Sequence, residues 1–343
     1  FLFSAINQFS PEKTIEFFQE YGLKVKTERG NRVFPVSDKA IDVVVALEKF
    51  VFENNCKIIY SRVKNLIIEN EKCLGVVLDS GEKIYADSVI IACGGKSYPG
   101  TGSTGDGYIL AQNAGHTITE LKPSLVPLIS VESWCRELSG LSLKNVALEL
   151  YDKLENKIIY KDFGEMLFTH FGVSGPLILS ASSHIREMVP GRYSIKIDLK
   201  PALTLDQLDK RLQRDFLKYT NKNFINALND LLPKKMIPIV ASLSQISPEI
   251  KCNQITKEMR LKLAGLLKEL TINIADFRPI EEAIITSGGV STAQINPKTM
   301  ESKIIKNLYF AGEVIDVDAY TGGFNLQIAF STGYVAGNFA AKE

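Results

Sequence analysis

The run Asn307-Leu308-Tyr309-Phe310-Ala311-Gly312-Glu313 reads as a buried strand that ends in a glycine–acid pair. An acidic loop, Val314 to Thr321, follows it and carries Asp316 and Asp318. Gly322-Gly323 then opens a helix, Phe324-Asn325-Leu326-Gln327-Ile328-Ala329-Phe330-Ser331-Thr332-Gly333-Tyr334-Val335-Ala336-Gly337, rich in small residues. Small residues let such a helix lie close to a sheet or a ligand. Each piece alone reads equally well as a strand, a turn and a buried helix. The ordered set favours a ligand site in an α/β fold.

The chemistry of that layout is specific. A glycine at a strand end lets the backbone approach a ligand, and the carboxylate of Glu313 suits ribityl or ribose hydroxyls. A helix N-terminus offers unpaired N–H groups and a partial positive charge. Reduced flavin carries negative charge near N1 and O2, so such a terminus suits it by the logic that binds phosphates.

Working outward, Ser88–Cys93 is a continuous apolar run, typical of a strand buried on both faces. Gly94-Gly95 follows directly, at the strand end where α/β folds bind ligands. Gly100-Thr101-Gly102-Ser103-Thr104-Gly105 spells G-x-G-x-x-G before a helix at Asp106–Ala114. The dinucleotide fingerprint requires its glycines immediately after a strand. Gly94 to Pro99 intervene, so this is a ligand-proximal loop and not the fingerprint.

Three stretches resemble a family of bacterial NAD(P)/FAD-dependent oxidoreductases, the aminoacetone-oxidase-family FAD-binding flavoproteins. They are Phe310–Asn325, Gly94–Pro99 with Gly102–Tyr108, and Leu167-Phe168-Thr169-His170-Phe171-Gly172-Val173-Ser174-Gly175-Pro176. The likeness spans nearly the whole chain. It implies a glutathione-reductase-like FAD-binding α/β fold interrupted by a mixed β/α insert domain. It also implies FAD as cofactor; the leading expectation is NAD(P)H as electron donor and a small-molecule acceptor, with a flavin-dependent RNA- or protein-modifying enzyme, or a non-catalytic folded fragment of a flavoprotein, as the alternatives. The residues it places at the cofactor are Val63, Cys93, Gly94, Gly95, Gly105, Gly312, Glu313, Gly322, Gly323, Phe324 and Asn325. Val63 would meet the adenine side through its backbone; simple strand packing explains it as well. Members of the family begin with a strand–fingerprint–helix unit, and the nine residues before Ser10 are too few for one. The expectation is a chain lacking that unit.

The rest of the chain sets the frame. Ser10-Pro11 starts a helix to about Tyr21, and a second opens at Ser37 with Ala40, Val43, Val44 and Leu47 at helical spacing. Lys57–Tyr60 reads as a short strand. Asn65–Glu69, Leu74–Asp79 and Lys83–Ala86 form a three-strand meander. Strands follow at Lys157–Tyr160, Glu165–Thr169 and Ser194–Leu199, helices at Thr204–Tyr219 and Thr256–Leu270, and a returning strand at Ala283–Thr286. The expected division is residues 1–127 and 283–343 for the FAD domain and 128–282 for the insert, with the acceptor held between the two.

The 343 residues, 45% hydrophobic and 23% charged, suit a folded two-domain protein. A net charge of +1 argues against nucleic acid as partner. No apolar run approaches the ~18 residues of a membrane span, and Glu12, Lys13 and Glu16 in the opening segment do not suit a signal peptide. Cys56, Cys73, Cys93, Cys135 and Cys252 are scattered and form no C-x-x-C pair, which fits reduced thiols in the cytoplasm and excludes flavin–disulfide chemistry. His116, His170 and His184 stand too far apart for a local metal motif. His170 reads as a proton donor or, more simply, as a hydrogen-bonded core residue. Tyr320 lines a cleft or packs in its loop, Lys96 meets phosphate or solvent, and Asp316 and Asp318 are ligand acids or turn acids. No catalytic residue is assigned.

Overall fold

The computed structural model describes residues 1–28 and 30–342. Two compact units emerge, Phe1–Ser124 with Ala283–Glu343, and Leu125–Glu282.

The first unit opens with helices α1 (Phe3–Gln8) and α2 (Pro11–Glu20). Ser10 caps α2 by accepting from the Lys13 N–H, with Pro11 at the first helical position. A hairpin, β1 (Val25–Glu28) and β2 (Arg32–Pro35), precedes α3 (Ala40–Glu53). Ser37 does not cap α3; it bonds the Asp42 carboxylate at 2.5 Å, and the helix begins three residues later than expected. Lys57–Tyr60 is not a strand: it runs exposed and unpaired in the described sheets. The meander follows as β3 (Val63–Glu69), β4 (Lys72–Leu78) and β5 (Lys83–Tyr85), all antiparallel. Next come β6 (Val89–Ile91), α4 (Asp106–Asn113) and β7 (Lys122–Ser124). Within β6 only Ile91 is buried, and Ile90 is 38% exposed. The expectation of a strand buried on both faces is therefore not met there, with Val89 only half-buried.

The second unit is built on a closed six-stranded antiparallel barrel. Its strands are β8 (Leu128–Ser130), β9 (Ser142–Asp152), β10 (Lys157–Phe168), β11 (Gly172–Ser174), β12 (Tyr193–Asp198) and β13 (Leu270–Phe277). Alternate residues Val146, Leu148 and Leu150 of β9 enter the core beside Ile195, Ile197, Ile272 and Ile274, the period-two signature of a half-buried strand. Closure leaves no open edge. Asp152, buried, is held by the Arg192 guanidinium at 2.7–3.0 Å, and that hydrogen bonding keeps its carboxyl below the usual carboxylate range. Helices α5 (Trp134–Glu137) and α6 (Pro176–Ser182) lie between strands. A helical block separates β12 from β13: α7 (Leu205–Lys218), α8 (Phe224–Ala227), α9 (Met236–Ser244) and α10 (Lys257–Lys268). Thr204 and Gln207 form a reciprocal capping box at α7, and Thr256 caps α10. Leu208, Leu212 and Phe216 seat α7 in the core.

The chain then re-enters the first unit through β14 (Ile285–Ser287), which pairs with β7, and β15 (Leu308–Phe310), which runs parallel to β6. The 17-residue helix α11 (Phe324–Ala340) ends the fold and packs on α1 and β15. No helix among the described residues is long and apolar enough to cross a membrane.

Candidate functional site

Strands β6 and β15 end side by side, in register Leu308–Val89, Tyr309–Ile90, Phe310–Ile91. The Ala311 N–H extends the ladder by donating to the Ile91 carbonyl at 3.0 Å. Both chains then turn through glycine: Gly94 at φ +74° and Gly312 at φ +74°, a region that penalises a side chain. Gly312 donates its N–H to the Thr332 hydroxyl at 2.9 Å, which fixes the strand end to α11.

Glu313 follows and points into the protein. Its Oε1 accepts from the Thr286 N–H at 2.7 Å and from the Ser97 hydroxyl at 3.0 Å. The Thr286 hydroxyl accepts in turn from the N–H groups of Lys96 (2.8 Å) and Ser97 (3.2 Å). One carboxylate thereby joins the glycine loop, β14 and the end of β15. Oε1 is thereby committed to two protein donors. Gly95 is buried against this network: a Cβ there would collide with Glu313 Oε1 and Thr286 Oγ1. The Cβ side of Gly95 is thus filled by protein, which by itself requires glycine at this position. Tyr108 donates weakly to the Glu313 carbonyl at 3.4 Å, and burial, with the Glu313 charge behind it, raises its phenol pKa.

Helix α4 is drawn against the same strand end. Gly107 permits it, since a Cβ would lie 2.9 Å from Val314, 3.1 Å from Ile91 and 3.4 Å from Cys93. Gly105, at φ +86°, is the N-cap of α4, and Gly102 at φ +98° ends a 3₁₀ turn over Pro99–Thr101. These glycines shape a turn and do not follow a strand. Asp106 receives a two-pronged bond from Arg62 at 2.8 and 2.5 Å, which lowers the Asp106 pKa and ties the loop to the start of β3. Val63, half-buried, pairs with Leu78 in that strand. Cys93 is exposed at the end of β6.

The N-terminus of α11 is open. Gly322 (φ +115°) and Gly323 (φ +92°) lead into it, and a Cβ at Gly323 would meet nothing within 4 Å. The backbone N–H groups of Phe324, Asn325 and Leu326 donate to no acceptor among the described residues. Phe324 is 58% exposed. Asn325 acts inward: its amide accepts from the Ala319 N–H at 2.9 Å and donates to the Ala319 carbonyl at 2.8 Å, clamping the acidic loop. Asp318 accepts from Ser124 at 2.7 Å and Ser287 at 3.1 Å, so it too shapes the loop.

The remaining candidates scatter. His170, in the second unit, is exposed with its ring against Phe171, over which Arg278 stacks at 4.5 Å. Among the described residues no three His, Cys, Asp or Glu side chains are arranged to hold a metal. Sequence reasoning missed Thr286 and Ser97, whose hydroxyls carry the network. It also passed over Gly288 and Gly289, where a Cβ would strike the carbonyls of Glu120 and Val314. A double glycine one residue past the expected strand Ala283–Thr286 is the available signal.

This geometry fits FAD at one end. Gly94, Gly322 and Gly323 would allow close backbone approach, and the unaccepted N–H groups of α11 suit a partly anionic ring. The chain's kinship agrees. A family model described as HI0933-like protein Rossmann domain matches residues 1–339. A 3-dehydro-bile acid delta(4,6)-reductase of Clostridium scindens is 32% identical over 342 residues, covering 99% of this chain and 82% of that protein. A ribosomal RNA dihydrouridine synthase of Escherichia coli is 30% identical over 78% of this chain and 65% of that protein. One from Haemophilus influenzae is 29% identical over 97% of this chain and 80% of that protein. The chain belongs to the HI0933-like Rossmann-domain family, and it is a flavoprotein of the oxidoreductase class.

Proposed function

We propose that this protein is a cytoplasmic FAD-dependent reductase that draws hydride from NAD(P)H and reduces a small organic acceptor with an activated carbon–carbon double bond. The observation that carries this reading is the run Gly312–Asn325. A strand end locked by Glu313 leads, through a loop clamped by Asn325, to a helix whose first N–H groups are unspent beside the open space at Gly323. FAD, when bound, supplies the two-electron hydride chemistry. The chain supplies placement: Glu313, Thr286 and Ser97 hold the two strand ends, Gly94 and Gly323 leave room, and α11 offers partial positive charge. The acceptor class draws support from the Clostridium relative, a reductase of a delta(4,6) compound by name. The compartment draws support from five free thiols.

A second reading has its own support. The two relatives from E. coli and H. influenzae are ribosomal RNA dihydrouridine synthases by name, so the double bond could belong to a uracil base in RNA. Anaerobic mixing of the full-length protein with NADH or NADPH tests the shared chemistry. The flavin absorption should bleach within the mixing experiment and return on adding a cyclic enone. Failure of both nicotinamides to bleach it would remove the donor assignment. Dihydrouridine content of ribosomal RNA from cells lacking the protein tests the second reading, which predicts a loss.

A further inference from the structure

Charge is segregated in the second unit. From Lys200 to Lys268 the chain carries thirteen lysines and arginines against six acidic residues, although the whole chain is nearly neutral at +1. The basic excess lies on the helical block. On α7 the positions Gln207, Lys210, Arg211 and Arg214 share one face at i, i+3, i+4 and i+7. They line a groove of about 600 Å³ together with Leu203. Lys218 and Lys222 continue the line, and both ammonium groups sit over the Tyr219 ring, at 4.7 and 4.5 Å.

Acidic partners meet only part of this row, and the Asp230 carboxylate, which also accepts from the Tyr219 hydroxyl at 2.6 Å, lies within the extension. Asp209 takes Arg260, Asp230 takes Lys218, and Asp198 takes Lys268. Arg211 has Asp215 at 3.6 Å and donates to the Asp230 carbonyl at 3.0 Å. Among the described residues no carboxylate pairs with Lys200, Lys210, Arg214 or Lys222. Lys200 is half-buried, and its pKa is lowered by burial and then by the nearby Arg211 charge. Like charges crowded without counter-ions cost stability unless an anion visits. An elongated row with an aromatic ring set among its lysines matches a polyanion better than a single small phosphate.

We propose that the α7 groove and the Lys218–Tyr219–Lys222 extension form a docking surface for the phosphodiester backbone of RNA. The choice of RNA rests on the second reading above. The test reads binding alone, so its failure is distinct from failure of flavin reduction or of dihydrouridine formation.

The experiment uses fluorescence anisotropy of a labelled RNA stem-loop with the full-length protein over a salt series. Binding should weaken steeply with salt. Lys210→Glu with Arg214→Glu should raise Kd at least tenfold and flatten the log–log salt slope by roughly 0.7–0.9 for each phosphate no longer neutralised. A matched reversal of exposed lysines that do not belong to the block, Lys83→Glu on β5 with Lys144→Glu on β9, should leave Kd within about twofold. Circular dichroism and flavin content should be unchanged in both variants, which separates impaired docking from impaired folding. No salt-dependent RNA binding by the wild type, or equal losses in the two double variants, would overturn the proposal. So would tighter binding of polyglutamate than of RNA, which would transfer the surface to an acidic protein.

Discussion

Gly95→Ala is the sharpest perturbation of the site. The added methyl would lie inside contact distance of Glu313 Oε1 and Thr286 Oγ1, and 2.7 Å from Glu313 Cδ. Both neighbours are side chains, so the Glu313 carboxylate and the Thr286 hydroxyl must give way. Moving the carboxylate breaks its bonds from the Thr286 N–H (2.7 Å) and the Ser97 hydroxyl (3.0 Å). A hydrogen bond to a charged group is worth roughly 1.5–3 kcal/mol, so losing one or both costs about 1.5–6 kcal/mol. The assay is urea unfolding of the flavin-free, full-length protein, which isolates the protein network from cofactor binding. In a Glu313→Ala background only the contact with Thr286 Oγ1 remains, so the added cost of the methyl should fall, a coupling that a double-mutant cycle reads directly. Gly95→Ala within about 0.5 kcal/mol of wild type, or strict additivity with Glu313→Ala, would refute the reasoning.

Three further outcomes follow from the geometry. His116 is buried, with one ring nitrogen 2.8 Å from the Ser302 hydroxyl and the other 3.3 Å from the Ala111 carbonyl; burial lowers its pKa. A depressed folded pKa means that its stability contribution is present above the unfolded value near 6.5 and is lost as pH falls through the lower folded value. His116→Phe should flatten the acid limb of the stability–pH curve, measured by denaturant midpoint. Asn325→Ala should free the loop around Ala319 and speed amide exchange there severalfold, with α11 itself still protected. Gly323→Ala must hold alanine at φ +92°, at a cost of about 1–2 kcal/mol in apo stability. With FAD saturating, the same change should lower the flavin midpoint potential by tens of millivolts at most, on the basis that ~1.4 kcal/mol equals ~30 mV for two electrons. An unchanged or raised potential would remove the α11 terminus from the flavin.

Local signals were readable and distant ones were not. Ser10-Pro11, Thr204 and Thr256 each announce a helix through its cap, and the structure places caps there. The meander was legible because its turns carry the punctuation. Strand β9 was missed because Asn145 at φ +56° and the polar residues Lys144 and Asn145 break its alternation before Val146 restores it. Lys57–Tyr60 has strand composition but no partner strand, and composition alone does not supply one. The inward turn of Glu313 depends on Thr286, 27 positions away, and on Ser97, 216 positions away. No local pattern encodes such a meeting. The same holds for charge: a near-neutral total concealed a helical block rich in unpaired lysines and arginines.

The account stands on the first unit being a site for FAD. Its most direct test is identification of the cofactor released by heat from the full-length protein, with the flavin-to-chain ratio taken from the visible spectrum. The account predicts FAD, close to one per chain, retained through gel filtration. FMN in its place, or a colourless protein that takes up no added FAD, would contradict it.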